Sequence, residues 1–293
     1  MRHRQPSCSP ASDVQWCLAL ASKLVSRRNV IGAAAAAGGC AAFDSLAVEP
    51  NWLEITRHHV PVPGLPRHLA GFTIAQITDA HLSSLGRVEE TIARTVREEN
   101  AQLVVLTGDI IDSAQRIPLL EEFCSALRGE GRKIVATLGN WEHWGKFPLE
   151  DLRTGYSRAG AELLVNEFRR LPDGVQVCAT DDDTGGRVEL EQAIGRGGAD
   201  AKVLLTHSPG FLDSVPKQAG PLALTLAGHT HGGQIRLGAG LVPFVPPGSG
   251  RFVGGWYHLP LGAVYVSRGT GTSIIPARFA CRPELPIYRL QPA

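Results

Sequence analysis

Two spacings of apolar residues alternate along most of this chain. Short, nearly continuous apolar runs at 72–77, 103–106 and 133–138 predict strands, and the unbroken 103–106 run predicts one covered on both faces. Between them, Val88, Ile92 and Val96 recur at helical spacing within 87–100, and Ile117, Leu120, Phe123 and Leu127 mark a second helix. Further strands are predicted at 175–178, 203–205, 222–226, 264–266 and 287–290. Strands alternating with helical stretches predict an α/β layered fold, in one domain spanning 48–293. Residues 238–262 are rich in Gly and Pro without a period, which predicts a long loop or hairpin.

The first 47 residues follow a different pattern. Ser26-Arg27-Arg28 precedes a mild Ala/Gly-rich stretch, as in a twin-arginine secretion signal, with small residues for cleavage near Ser45-Leu46-Ala47. The uncharged stretch 29–43 is short and weakly apolar for a membrane span. Lipid attachment at Cys40 is the less favoured alternative, because Ala37 fits a lipobox poorly. The expectation is export to the periplasm or cell envelope by the twin-arginine machinery, with peripheral membrane association open.

Composition narrows the classes. The formal charge of +1 argues against a broad basic face, so no nucleic-acid partner is expected. With 43% apolar and 19% charged residues the chain is ordinarily globular, and Gly 33 with Pro 20 suits chemistry carried on loops. Cys8, Cys17 and Cys40 lie in the leader, which leaves Cys124, Cys178 and Cys281, widely spaced and expected as buried free thiols.

Five short motifs follow apolar runs: Asp79-Ala80-His81, Gly108-Asp109 with Asp112, Gly139-Asn140, Thr206-His207, and Gly228-His229-Thr230-His231. Each offers carboxylate, amide or imidazole donors. In layered α/β folds the carboxyl ends of strands form the ligand crevice, so donors distant in sequence converge there. The set suits two divalent ions, Mn, Fe or Zn, without choosing among them.

In order and strand context these motifs resemble the calcineurin-like metallophosphoesterase superfamily, whose pattern is D-x-H, G-D-x-x-D, G-N-H-D/E, a lone His and G-H-x-H. The run Gly228 to Ile235, with Ser267-Arg268-Gly269 and Arg282-Pro283-Glu284, is similar to an exported or membrane-associated bacterial branch that includes phosphodiesterases and relatives of UDP-diacylglucosamine pyrophosphatases. The resemblance implies a layered β-sheet sandwich flanked by helices, with a dinuclear metal site at the strand ends. It implies Asp79, His81 and His231 on one metal, Asp109 bridging, and Asn140, His207 and His229 on the second, with Asp112 supporting a ligand. The implied reaction is hydrolysis of a phosphodiester or pyrophosphate, in a small or lipid-linked substrate, by metal-bound hydroxide. One departure stands out: the third motif reads Gly139-Asn140-Trp141-Glu142-His143, with Trp141 where the family has histidine.

Candidate catalytic residues are therefore Asn140, His143 and Asp112, and candidate substrate contacts are Trp141 and Gly232. The alternatives are a non-catalytic metal or envelope-ligand binder with a degenerate acid position, and a lipid-linked UDP-sugar pyrophosphatase. His58, His59, His68 and His258 read as ordinary surface or core residues, and 181–183 as a solvated turn, with a substrate-loop role as the less favoured alternative. Trp141, Trp144 and Trp256 fit an apolar substrate groove or plain packing equally.

Overall fold

The computed structural model describes residues 27–196, 198, 201–215 and 222–293. Cys8, Cys17 and the leader before Arg27 lie outside the described residues. The chain divides into two units, 1–44 and 45–293. In the first, helix α1 (Arg27–Phe43) buries none of its residues. A π turn (Asp44–Val48) and a 3-10 turn (Glu49–Asn51) follow, and the run Arg27–Asn51 is long and apolar enough to cross a membrane. The uncharged stretch 29–43 is the short, weakly apolar part of that longer run, which is long and apolar enough only with the residues on either side of it.

The second unit is the expected sandwich. One sheet runs β1 (Glu54–Val62), β12 (Glu284–Pro292), β2 (Thr73–Ile77), β3 (Leu103–Thr107), β4 (Lys133–Thr137), β5 (Glu162–Leu163). The other runs β10 (Gly255–Leu259), β11 (Gly262–Val266), β9 (Leu224–Ala227), β8 (Ala201–Leu205), β7 (Val175–Ala179), β6 (Glu167–Arg170). Alternation sends each strand's residues into two cores. Leu103 and Val105 join Val203, Leu205, Leu224 and Leu226 between the sheets. Val104 and Leu106 instead pack outward under α2 (Arg87–Glu98), α3 (Ile117–Ala126) and α5 (Leu149–Arg158), and Leu204 packs outward with Phe252 and Leu212. Both faces are covered, which is why the strands read as continuous apolar runs.

Two features differ from expectation. β1 was not foreseen: it is an edge strand of polar sequence, with only Val60 and Val62 buried, and it pairs parallel with β12. Of residues 181–183 only Asp183 is the exposed turn residue expected; Asp182 is wholly buried and Asp181 nearly so. The loop-or-hairpin reading of 238–262 holds: its last part is β10, which forms a hairpin with β11.

Candidate metal centre

Parallel pairing aligns β2, β3 and β4 in one sheet and β7, β8 and β9 in the other, so their carboxyl ends share one edge of each layer. Asp79 and His81 follow β2, Asp109 follows β3, and Asn140 opens α4 (Asn140–Trp144) after β4. His207 follows β8, and His229 and His231 follow β9. The loops are laced by backbone hydrogen bonds: Asp79 N–H donates to Gly108 O, His81 N–H to Asp109 O, and Gly228 N–H to His207 O. Five of the seven donors, Asp79, His81, Asp109, His229 and His231, have φ between 44° and 71°. Non-glycine residues are uncommon there, and the strain is held by this lacing. Gly108 (φ 83°) has no room for a side chain: a Cβ would lie 2.6 Å from His207 Nδ1.

All seven donors are buried. They form two groups, Asp79 with His81 and His231, and Asp109 with His207 and His229, each with its donor atoms within 4.8 Å of one another. Asn140 Oδ1 joins the second group, 3.1 Å from His207 Nε2 and 2.9 Å from His229 Nδ1. Asp109 Oδ2 lies 3.1 Å from His207 Nε2 and 3.9 Å from His81 Nε2, facing both groups. Asp79 Oδ1 is 3.3 Å from His231 Nε2. Ligands around an ion at roughly 2.0–2.2 Å are separated by about 3.0–3.5 Å, so these spacings fit.

Hydrogen bonding orients the rings. A carbonyl cannot donate, so His207 Nδ1–H must donate to Thr107 O (2.8 Å) and His229 Nε2–H to Pro247 O (2.7 Å). Those bonds aim His207 Nε2 and His229 Nδ1 at each other, 3.3 Å apart. With Asn140 Oδ1 and Asp109 Oδ2 beside them, four acceptor atoms converge. Such a cluster repels itself unless a proton or a cation stands among the lone pairs, which is the fit required of a metal site. In the first group His81 Nδ1 binds Asp112 Oδ1 at 2.6 Å, aiming Nε2 at His231 Nε2, 3.2 Å away.

Electrostatics within the groups are uneven. Burial opposes charge on His207, but Asp109, Asp79 and Asp182 outweigh it and raise its pKa well above the ordinary value. Burial likewise opposes charge on His81, yet the Asp112 hydrogen bond and the charges of Asp109 and Asp79 raise it. Burial and the partner imidazoles lower both His229 and His231. Each group therefore sets a ring whose charged form is favoured beside one whose neutral form is favoured, and a cation bound among them would compete with protons for the same lone pairs.

Three supporting residues escaped the sequence reading. Glu142 is buried and accepts N–H groups of Asp109 (3.0 Å), Ile110 (2.8 Å) and Gly139 (2.9 Å), joining the loops after β3 and β4. Burial and the charge of Asp109 push its carboxyl up to about 7, against the pull of those donors. Its signal was the acidic position two residues after Asn140. Arg278 is fully buried and donates to the carbonyls of Gly271, Arg268 and Cys281, securing the 268–271 loop against Asp79. Asp182 accepts from Thr184, Gly185 and Ser208, and its pKa is lowered despite burial because His207 and these donors favour the charge. Nothing local in the sequence marked Arg278, and the acidic run 181–183 that holds Asp182 reads locally as a solvated turn.

The remaining candidates sit as follows. Asp112 also meets Arg116 at 3.2 Å. Trp141 is half-buried, its ring edge-on to His81 at 5.6 Å, and its backbone N–H binds Asp109 Oδ1. His143 turns to Asp181, Nε2 to Oδ1 2.6 Å, and that bond raises its pKa. Gly232 is buried with its N–H bound to Thr230 Oγ1. Trp144 is exposed beside Trp141, and Trp256 packs with His58 and Tyr265. Cys124, Cys178 and Cys281 are buried free thiols, as expected.

Comparison with known proteins agrees with this geometry. The model of the calcineurin-like phosphoesterase family matches residues 72–233, which hold every donor above. The chain is 31% identical over 259 residues to the uncharacterized metallophosphoesterase YkuE of Bacillus subtilis, covering 83% of this chain and 87% of that one. It is 27% identical over 254 residues to the phosphodiesterase YaeI of Escherichia coli, covering 83% and 90%. A transmembrane protein with a metallophosphoesterase domain from Danio rerio is 29% identical over 77% of this chain and 54% of its own length. A family match across more than half of the sequence, together with a relative above 30% identity, shows that this chain belongs to the calcineurin-like phosphoesterases, a family of metal-dependent phosphoester hydrolases.

Proposed function

We propose that the protein hydrolyses phosphodiesters or pyrophosphates at a two-ion centre and does so outside the cytoplasm. The observation that carries this is Asp109 Oδ2, one carboxylate oxygen turned towards both donor groups. Asp79, His81 and His231 would hold one divalent ion, and Asn140, His207 and His229 the other. Bound there, the ions would supply Lewis acidity and water of lowered pKa. Asp112 orients His81, Glu142 holds the Asp109 loop against α4, and Trp141 shields the His81 ring from water.

Trp141 stands in the motif position of the family's histidine, and an indole N–H can donate a hydrogen bond but not a proton. Any proton for the leaving oxygen is therefore supplied by water and not from this position, and aryl diesters, whose leaving oxygen needs none, are the simplest assay substrates. The name of the Escherichia coli relative points to the diester class. The Arg27-Arg28 pair ahead of an apolar helix supports export, with the helix as signal or anchor. Replacing both arginines by lysine is expected to retain the protein in the cytoplasmic fraction.

The catalytic test uses metal-stripped protein resupplied with Mn²⁺, assayed on bis(p-nitrophenyl) phosphate with parallel metal analysis. Asp109→Ala and Asp109→Asn are both expected to lose turnover and at least one bound ion. A folded variant keeping wild-type turnover would overturn the reading.

A further inference from the structure

The two histidines of the first donor group line unlike spaces. His231 lines a cavity of about 230 Å³ whose walls include Ile235, Pro243, Phe244, Ile274 and Ile275. Phe244 is 63% exposed, Ile274 85% and Ile275 52%, a cluster of large apolar side chains at the mouth. Ile274 has φ 63°, a region that a β-branched residue rarely enters. Strain spent on holding an aliphatic side chain in water is a mark of a binding role. The Gln234 side chain bonds Ser273 and Ile275, tying this rim to the His231 loop. His81, stacked on His231 at 5.2 Å, instead lines a pocket of about 240 Å³ with Ser83, Ser84, Arg87, Thr270 and Thr272.

We propose that the substrate is an unsymmetrical, amphipathic phosphodiester. Its phosphoryl group lies at the centre, an aliphatic ester group fills the cavity beside His231, and a hydroxyl-bearing group occupies the pocket beside His81. The occupant of the cavity is the substrate's own chain, because the cavity shares His231 with the donor group. Hydrolysis adds the water oxygen to phosphorus and breaks one P–O ester bond, and the departing alcohol keeps the water's other proton. This inference rests on the two-ion reading of the site.

The test is a series of p-nitrophenyl n-alkyl phosphates, methyl to decyl, kept below their aggregation limits. KM is expected to fall roughly fourfold per added methylene until the cavity is full. Phe244→Ser with Ile274→Ser is expected to flatten that dependence, read as the ratio of decyl to methyl KM. Calorimetry with decyl(methyl)phosphinate, which has the single charge but no hydrolysable ester, is expected to show tighter binding than with dimethylphosphinate, and the double variant to erase the gap. At the polar end, decyl glyceryl phosphate is expected to be cleaved at lower KM than didecyl phosphate, and Arg87→Ala to narrow that difference. Turnover of every diester with no chain-length dependence overturns this inference and leaves the proposed function standing. A dependence equally steep in the double variant also overturns it, placing the chain elsewhere, for example at a lipid surface. No turnover of any diester by fully metal-loaded protein overturns the proposed function itself.

Discussion

Replacing Asp112 by alanine should weaken one ion of the pair and spare the other. Asp112 Oδ1 accepts the His81 Nδ1 proton at 2.6 Å, in a site where the imidazole is buried and the carboxylate is a quarter exposed. Removing a charged acceptor from a buried donor costs roughly 1.5–3 kcal/mol. At about 1.4 kcal/mol per tenfold, that becomes an affinity loss of roughly 10-fold to 100-fold, the range typical of partners that orient a ligand. The loss should fall on the Asp79, His81 and His231 group, because the other group is oriented by Thr107 O and Pro247 O. Asp112→Asn keeps an acceptor oxygen and should lose less than about tenfold. The Arg116 contact is solvent-accessible, and its loss adds at most about 1 kcal/mol. Metal-stripped protein would be titrated with Zn²⁺ against a chromophoric chelator, resolving two dissociation constants, with urea unfolding as a control. If both sites weakened equally, or neither moved in a folded variant, the assignment of Asp112 to His81 would be refuted.

Other outcomes follow from the same geometry. Glu142→Ala strands three buried backbone N–H groups and should destabilise the metal-free fold by roughly 3–6 kcal/mol, measured by urea unfolding. Gly108→Ala places a methyl 2.6 Å from His207 Nδ1 at a φ of 83°, so bound metal measured by atomic emission should fall from two ions towards one. Metal loading should release protons, seen with an indicator dye in weakly buffered solution. The sign follows from His207 and His81: their pKa values are raised, so the metal-free rings stay protonated above the usual histidine range and an arriving cation displaces those protons. Apparent metal affinity should accordingly fall as pH falls.

What could be read locally was the strands and the donors. Leu103 to Leu106 declared a strand buried on both faces because every position is apolar, and the structure divides those side chains between two cores. The donors were legible because each follows an apolar run at a strand's carboxyl end. β1 was not, since an edge strand that buries little carries little pattern. Glu142 stood in the motif, but its role of joining two loops shows only when those loops lie side by side.

The sequence by itself determined the types of the well-buried elements, the order of the motifs and the chemistry of the donor set, because periodicity and strand-end loops are properties of near neighbours. Only the tertiary structure decided which donors share an ion, which atom of each ring faces it, and what surrounds the pair. His81 meets His231 across 150 residues, and Glu49 holds the backbone of Cys281 across 232. Contacts at such separation depend on how two sheets pack, and the unlike spaces beside the two rings exist only once that packing is complete.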